Sequence, residues 1–337
     1  MLLTFIAILH AGTSSRDAEF RAFEAVEPHM GTLFRIKLYA GSEAQAQSAF
    51  RMAFDRVSRL DEILSDYKPH SELNCVGRTS VGRAVPVSND LFQVLSAARK
   101  VAEQTDGAFD ITVGALTHLW RNSRKAGNIP SPQELQTVIG RCGFRKLHLD
   151  PAKRSASVDV PGMELDAGGI AKGYAADEAL TVLRRSGVTR ALVAASGDLA
   201  MSDAPPGKTG WLVGVDSLDS AGQPFTRVLL LANAAVSTSG DSEQHIDAGG
   251  KRYSHILNPR TGMALTSQLT VTVVASTGTE ADAIATAVSV LGRDAGLAFV
   301  ERQAGMAALL VDRATTPALV IASRRFNLLP SSKGDVI

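Results

Sequence analysis

A carboxylate and a hydroxyl stand four residues apart in a segment that is otherwise almost entirely apolar. After its first position, the segment 280–290 (EADAIATAVSV) has only Asp282, Thr286 and Ser289 as polar residues. A helix this apolar is expected to be buried, and a lone buried carboxylate is costly unless it is paired or holds a cation. Because positions four apart share one helix face, Asp282 and Thr286 could together hold Mg²⁺ through oxygen. The alternative is that Asp282 caps the helix and Thr286 donates to a backbone carbonyl.

Two adjacent glycines mark a second candidate, in the segment 166–174 (DAGGIAKGY). Gly168 and Gly169 would let the backbone come close to a ligand. A helix that begins here would direct its free N–H groups toward a phosphate, and Lys172 would add a positive charge. The alternative is an ordinary tight turn followed by a surface lysine.

A single histidine lies among arginines in the segment 251–262 (KRYSHILNPRTG). His255 could take a proton from a hydroxyl near neutral pH, and Arg252 and Arg260 could pair with phosphate oxygens. The alternative is a structural histidine in a hairpin, and the residues alone leave both interpretations open.

Shorter aromatic and acidic segments could also line a site. Residues 65–67 (SDY) could stack a flat ring, and residues 106–114 (DGAFDITVG) place two acids and two glycines around one phenylalanine. The segments 196–198 and 239–241 both read SGD and follow predicted strands. Each of these segments is as consistent with turn chemistry as with a site.

The hydropathy pattern predicts the elements that must position these residues. Apolar side chains spaced three and four apart indicate amphipathic helices, and alternation indicates half-buried strands. Helices are predicted at 42–64, 89–104, 132–141, 169–185 and 280–291, and strands at 33–40, 146–149, 156–160, 191–195, 211–215, 227–231, 234–238 and 269–276. Because helices and strands do not alternate strictly, the sequence predicts an α+β fold with mixed sheets and surrounding helices.

The composition of the 337-residue chain excludes several classes of protein. Lys and Arg number 35 and Asp and Glu 34, so there is no global basic field for a nucleic acid or an anionic membrane. The two cysteines, Cys75 and Cys142, cannot make a disulfide framework. No apolar run approaches the roughly 20 residues that a membrane span needs. The phosphate-loop, dinucleotide, nucleophile-elbow and zinc-protease motifs are absent from the sequence.

Taken together and in order, the segments resemble the ApbE family of flavin transferases, also called FAD:protein FMN transferases. The resemblance covers about residues 26–322, and the segments at 166–174, 255–262 and 280–286 are specific as a set. The matching segments are 30–32 (MGT), 64–67 (LSDY), 71–73 (SEL), 107–110 (GAFD), 166–174 (DAGGIAKGY), 196–199 (SGDL), 238–240 (TSG), 255–262 (HILNPRTG) and 280–286 (EADAIAT).

The resemblance implies a Mg²⁺-dependent enzyme that cleaves the pyrophosphate of FAD. FMN is transferred as a phosphoester to a Thr or Ser hydroxyl of a target protein, and AMP is released. Known targets of the family are subunits of the sodium-pumping NADH:quinone oxidoreductase and of the related Rnf complex. Some members hydrolyse FAD to FMN and AMP instead, so an FAD pyrophosphatase is one alternative. A flavin-binding protein without activity is another.

The resemblance also implies roles for individual residues. The side chains of Asp282 and Thr286 and the carbonyl of Gly169 correspond to Mg²⁺ ligands, and His255 corresponds to the group that deprotonates the acceptor hydroxyl. The positions that correspond to FAD-holding residues are Met30, Tyr67, Ala108, Phe109, Asp110, Asp166, Lys172 and Ile256.

Four positions depart from the usual family pattern. Asn258, Ile111, Ser242 and Ala167 stand where Asp, Pro, Tyr and Leu are common. None of them removes a proposed ligand or the base, but Asn258 changes the charge expected near His255.

The first residues predict export. Residues 2–9 (LLTFIAIL) form a short apolar run followed by small residues, as in a secretory signal, although no Lys or Arg precedes them. The predicted organisation is a signal peptide and linker over 1–25, a flavin transferase domain over 26–325 and a polar tail over 326–337. The protein is accordingly expected in the periplasm or otherwise exported, and in the cytoplasm if the apolar run is not a signal.

Overall fold

A computed structural model describes residues 20–218, 223–240, 245–314 and 317–332. The apolar run at 2–9 lies outside these residues, so export stays a prediction. Ser242 lies outside them as well. Among the helices of the described ranges, none combines the length and apolarity needed to cross a membrane.

Strands and helices of the described chain alternate irregularly. The strands are β1 (Arg21–His29), β2 (Thr32–Ala40), β3 (Val85–Pro86), β4 (Leu147–Asp150), β5 (Ser155–Val158), β6 (Ala191–Ala195), β7 (Asp198–Met201), β8 (Trp211–Leu218), β9 (Pro224–Leu231), β10 (Ala234–Ser239), β11 (His245–Ala248), β12 (Lys251–Ser254), β13 (Leu269–Ala275), β14 (Ala307–Asp312), β15 (Leu319–Ala322) and β16 (Ser331–Ser332). The helices are α1 (Glu43–Leu64), α2 (Glu72–Thr79), α3 (Asn89–Gln104), α4 (Gly114–Ala126), α5 (Pro132–Ile139), α6 (Ala171–Arg185), α7 (Gly278–Leu291), α8 (Arg293–Arg302) and α9 (Arg324–Asn327).

One large sheet organises the fold. Its eight strands follow the order β1-β2-β6-β7-β10-β13-β14-β15, and smaller sheets are formed by β16-β9-β8, by β3-β5-β4 and by β11-β12. The predicted α+β class with helices around sheets is confirmed. Every ladder between these strands is antiparallel, including those of the sheets predicted to be mixed.

The central sheet is covered on both faces because its strands alternate between two apolar cores. Val273 and Leu310 belong to the core that includes α1, α6 and α7. Their neighbours Val274 and Leu309 belong to a second core with β8, β9 and Phe326 of α9. The three layers are therefore helices, the large sheet and the small sheet β16-β9-β8.

Helices α6 and α7 cross with their backbones in direct contact. A Cβ on Gly173 would lie 2.1 Å from the carbonyl oxygen of Gly278, and a Cβ on Gly278 would lie 2.6 Å from that of Gly173. Each helix also caps the other: Asp177 of α6 accepts from the N–H groups of Gly278 (2.7 Å) and Thr279 (2.9 Å). In return, Asp282 Oδ2 of α7 accepts from the N–H of Gly173 at 3.1 Å. The two helices form one unit in which both N-termini have a carboxylate partner.

Replacing Gly173 by Ala is expected to destabilise the protein, because the added methyl meets backbone that cannot rotate away. Overpacking typically costs about 1–3 kcal/mol, and a backbone clash belongs at or above the top of that range. Thermal unfolding followed by circular dichroism should show a midpoint lower by roughly 5 °C or more. Gly140→Ala is the matched control, since no atom lies within 4 Å of its Cβ and its φ is −62°. An unchanged midpoint for Gly173→Ala would show that the crossing is looser than described.

Both predicted boundaries of the domain differ from the structure. Strand β1 begins at Arg21 and pairs with β2 along its whole length, so the interpretation of the residues before 26 as a linker is wrong from position 21 onward. In the predicted tail, Phe326 is fully buried and β16 pairs with β9. Sequence reasoning missed these elements because charged residues interrupt β1 and because β16 has only two residues.

Candidate functional site

The glycine turn before α6 meets the polar face of α7. A Cβ added to Gly169 would lie 2.9 Å from Thr286 Oγ1 and 3.3 Å from Cε2 of Phe109. Asp282 lies one helical turn before Thr286 and contacts the first turn of α6 through Gly173. Three predicted ligands and one predicted FAD-holding residue therefore converge where α6 begins.

The carboxylate of Asp282 is buried, with 4% of the residue exposed. Its Oδ2 lies 3.8 Å from Nζ of Lys172. Burial and the nearby Asp198 carboxylate together raise the pKa of Asp282 to about 7, with Lys172 opposing the shift. A second cation beside this carboxylate would relieve the cost of burying its charge.

The alternative interpretation of Asp282 and Thr286 does not describe this structure. The N-cap of α7 is Thr277, whose side chain accepts from the N–H of Glu280, and Asp282 caps α6 instead. Ser289 donates to the carbonyl of Ala285 at 2.9 Å. No corresponding bond from Thr286 to a carbonyl occurs within the described ranges. The Thr286 hydroxyl is therefore available beside Gly169.

Lys172 is held by a carboxylate that was not among the predicted site residues. Its Nζ lies 2.8 Å from Asp198 Oδ2 and 3.4 Å from the carbonyl oxygen of Gly168. Asp198 is buried, and its other oxygen accepts from the hydroxyl of Ser237. Burial lowers the pKa of Lys172, but the carboxylates of Asp282 and Asp198 outweigh it and raise the value overall. The only signal for Asp198 in the sequence was the SGD segment at 196–198, which also suits a turn.

Asp166 shapes the turn that precedes α6. Its Oδ1 accepts from the N–H of Gly168 at 2.8 Å. The N-cap of α6 is Ile170, which offers no side-chain cap; the N–H of Ala171 donates to the carbonyl of Ala167 at 2.8 Å, and that of Gly173 donates to Asp282. A helix begins at the glycine turn as predicted, with Lys172 in its first turn, and phosphate binding there stays a prediction.

A glycine is needed at position 169 because a side chain there would clash with its neighbours. Its backbone angle is not the reason, since its φ lies outside the left-handed region. Gly169→Val is expected to push its side chain against Thr286 and Phe109 and to weaken Mg²⁺-dependent FAD binding by about tenfold or more. Isothermal calorimetry with FAD and Mg²⁺ measures this effect. Gly41→Val is the control, because its Cβ would meet only Gln45 Oε1 at 3.8 Å. Wild-type affinity in the Gly169 variant would contradict a ligand-facing turn.

The carboxylate of Asp110 faces the protein interior. Oδ1 accepts from the N–H and hydroxyl of Thr112 at 2.8 and 2.7 Å, and Oδ2 accepts from the N–H of Phe144 at 2.8 Å. Burial raises the pKa of Asp110, and these hydrogen bonds oppose the shift. Asp110 therefore stabilises the loop that carries the buried residues Ala108 and Phe109, and its role toward FAD stays a prediction.

The segment that contains His255 is attached to the same loop. His255 is exposed just after β12, followed by the buried Ile256. The Arg260 guanidinium donates to the carbonyl of Asp106 at 2.7 Å and to its carboxylate at 3.2 Å. Trp120 of α4 donates to the carbonyl of Gly262 at 2.8 Å. Arg260 thus holds two loops together, and its pairing with phosphate stays a prediction.

Met30 and Tyr67 line two separate hollows. Met30 occupies the tight turn between β1 and β2 with a φ of +49°, beside a hollow of about 470 Å³ formed by 28–33 and Asp61. Tyr67 lines another hollow of about 470 Å³, together with Arg121 and Glu164. Arg121 Nη2 lies 3.9 Å from Asp166 Oδ2, so the hollow at Tyr67 adjoins the glycine turn. No corresponding contact links Met30 to that turn in the described part of the chain.

Comparison with known proteins identifies the family of this chain. The sequence profile of the ApbE family matches residues 30–310. The chain belongs to the ApbE family. A FAD:protein FMN transferase of Treponema pallidum is 30% identical over 318 residues, covering 89% of this chain and 87% of that protein. A FAD:protein FMN transferase of Klebsiella pneumoniae is 28% identical over 285 residues, covering 84% and 87%.

Solved ApbE structures share the fold over nearly the whole length. The apo form of the Pseudomonas stutzeri flavinyl transferase ApbE superposes with a TM-score of 0.82 at 27% identity, covering 92% of this chain and 97% of that one. The ApbE protein of Thermotoga maritima gives 0.81 at 29% identity, covering 92% and 100%. The fold predicted from the ApbE resemblance is confirmed.

Proposed function

We propose that this protein transfers FMN from FAD to a Thr or Ser hydroxyl of a target protein and releases AMP. The observation that carries the proposal is the convergence of Gly169, Asp282 and Thr286 at the first turn of α6, beside the loop of Phe109. Membership of the ApbE family, whose relatives include FAD:protein FMN transferases, supports it.

The donor set at the start of α6 fits Mg²⁺. Within the described residues there is no group of three or more His, Cys, Asp or Glu that could hold a metal. One carboxylate, one hydroxyl and a backbone carbonyl are all oxygen donors, and Mg²⁺ commonly takes one or two carboxylates and completes its shell with water and substrate phosphates. Asp282, Thr286 and the Gly169 carbonyl would hold the ion, which when bound would polarise the FAD pyrophosphate and stabilise the leaving AMP.

The side chains of the protein would supply orientation and proton transfer. The positive end of the α6 dipole would attract phosphate oxygens at the glycine turn. Lys172, positioned by Asp198, would add a fixed positive charge at the same end. His255 would accept the proton of the acceptor hydroxyl, and its exposure leaves room for an approaching protein chain.

The target protein and the compartment belong to the proposal as well. A redox-pump subunit with an exposed threonine is the class of acceptor that the family resemblance favours. The apolar run at 2–9 supports an exported, periplasmic location.

The decisive experiment incubates the full chain with FAD, Mg²⁺ and a purified redox-pump subunit that carries an exposed threonine. Mass spectrometry should find FMN on that threonine, with AMP released in equal amount. Parallel reactions omit the acceptor or add EDTA. Rapid release of free FMN and AMP without modification of the acceptor would indicate an FAD pyrophosphatase, and unchanged bound FAD would indicate a flavin-binding protein.

A further inference from the structure

The guanidinium of Arg121, on α4, lies over an aromatic ring that was predicted to hold FAD. Its guanidinium carbon is 4.1 Å from the centroid of the Tyr67 ring. The same guanidinium forms an ion pair with Asp66 and lies 3.9 Å from Asp166 Oδ2. With 21% of its side chain exposed, Arg121 is held between two carboxylates and a ring.

Tyr67 nevertheless remains open to a ligand. It is 72% exposed although Arg121 covers one face of its ring, so the exposed area lies on the opposite face and the ring edge. Tyr67 lines the hollow of about 470 Å³ described above. A flat ring entering the hollow would stack on Tyr67 with the guanidinium on the far side.

Arg121 also connects this stacking surface to the phosphate end of the site. Asp166, which faces Arg121, accepts from the N–H of Gly168 in the turn before α6. Burial and the nearby Asp166 raise the pKa of Asp66, whereas Arg121 lowers it. The guanidinium thus allows two carboxylates to lie close together. FAD carries a flat ring system on each side of its pyrophosphate, so phosphates at α6 would leave one ring system for the neighbouring hollow.

We infer that Arg121 is a positioning residue for FAD, which fixes the ring of Tyr67 so that a planar ring of the substrate stacks on its open face. The inference rests on the proposed function and adds a residue to it. An ammonium group could neutralise Asp66 and Asp166, but only a planar guanidinium can also lie against the ring. The role is therefore distinct from holding the two carboxylates together.

A double-mutant cycle tests whether Arg121 acts through Tyr67. In flavin transfer assays, Arg121→Ala and Tyr67→Ala should each raise the KM for FAD about tenfold and change kcat less than about threefold. In the Tyr67→Ala background, Arg121→Ala should add less than about a twofold effect. Additive effects, or an unchanged KM in Arg121→Ala, would overturn the inference.

Further variants separate positioning from charge and from folding. Arg121→Lys keeps the positive charge but lacks the planar guanidinium, so its KM for FAD should stay nearly as high as that of Arg121→Ala. A wild-type KM in Arg121→Lys would overturn the inference. Lys153→Ala removes an exposed positive charge that pairs with Asp150 and does not line the hollow, and it should leave KM within about twofold. Arg121→Met serves if the alanine variant fails to fold, as judged by circular dichroism.

Inhibition by the two halves of FAD, FMN and AMP, identifies the stacked ring. If the isoalloxazine stacks on Tyr67, Arg121→Ala should weaken inhibition by FMN about tenfold and leave inhibition by AMP unchanged. If the adenine stacks there, inhibition by AMP is the one weakened. Equal inhibition of wild type and variant by both nucleotides would overturn the inference. Failure of the wild type to bind FAD at all would instead refute the proposed function.

Discussion

Asp282→Ala is expected to abolish Mg²⁺-dependent FAD turnover while the protein remains folded. Asp282 supplies the only carboxylate of the proposed donor set, and the remaining hydroxyl and carbonyl are neutral. Loss of the ion would remove several kcal/mol of transition-state stabilisation, which corresponds to about 10³-fold or more in rate. The fold should survive because the substitution relieves a buried charge and leaves one N–H, that of Gly173, without its cap.

Release of AMP from FAD, measured over a range of Mg²⁺ concentrations, provides the test. Asp177→Asn is the matched control, because Asp177 caps α7 at the same crossing as Asp282 caps α6. It should lower the midpoint of thermal unfolding, and turnover should still require Mg²⁺. Full activity of Asp282→Ala at low Mg²⁺ would refute the assignment of Asp282 as a ligand.

His255→Ala is expected to lose flavin transfer while it continues to bind FAD and Mg²⁺. Removal of a general base typically costs about 10²–10⁴ in rate, and His255 lies on the loop attached by Arg260, outside the donor set of α6 and α7. The alanine side chain cannot accept the proton of the acceptor hydroxyl, so transfer should fall while FAD binding is kept.

Single-turnover transfer and equilibrium FAD binding, measured on the same preparations, separate the possible outcomes. His148→Ala is the control, since His148 is an exposed residue of β4 that pairs with Asp159 at 2.8 Å. If FAD binding is lost together with transfer, His255 is a structural residue. Transfer at the wild-type rate would exclude a catalytic role.

The long amphipathic helices were predictable almost to the residue because periodicity and caps agreed. α1 and α3 begin after Ser42 and Ser88, whose side chains cap them. α4 was missed because its N-cap, Val113, offers no side-chain cap and its sequence is largely polar. β14 was missed because its short, continuous apolar run lacks the alternation of apolar and polar residues by which a strand is recognised.

The candidate site was predictable where its residues form local patterns and unpredictable where they meet only in the fold. Asp282 and Thr286 share a helix face by spacing alone. Arg121 and Asp198 carried no such pattern, because their partners are distant in sequence. For Arg260 the sequence suggested only a possible phosphate partner, because it could not show that the carbonyls of Thr105 and Asp106 lie beside it.

The glycine contact between α6 and α7 has a consequence for ion selectivity. Gly169 precedes α6 while Asp282 and Thr286 belong to α7, so the distance between these donors is set by the crossing at Gly173 and Gly278. Backbones already in contact cannot move closer, and the reciprocal carboxylate caps oppose their separation. Ca²⁺ needs longer bonds and more ligands than Mg²⁺. The crossing would therefore limit the radius of the ion that fits. In this way Gly173 and Gly278 would favour the smaller cation, although neither contacts it.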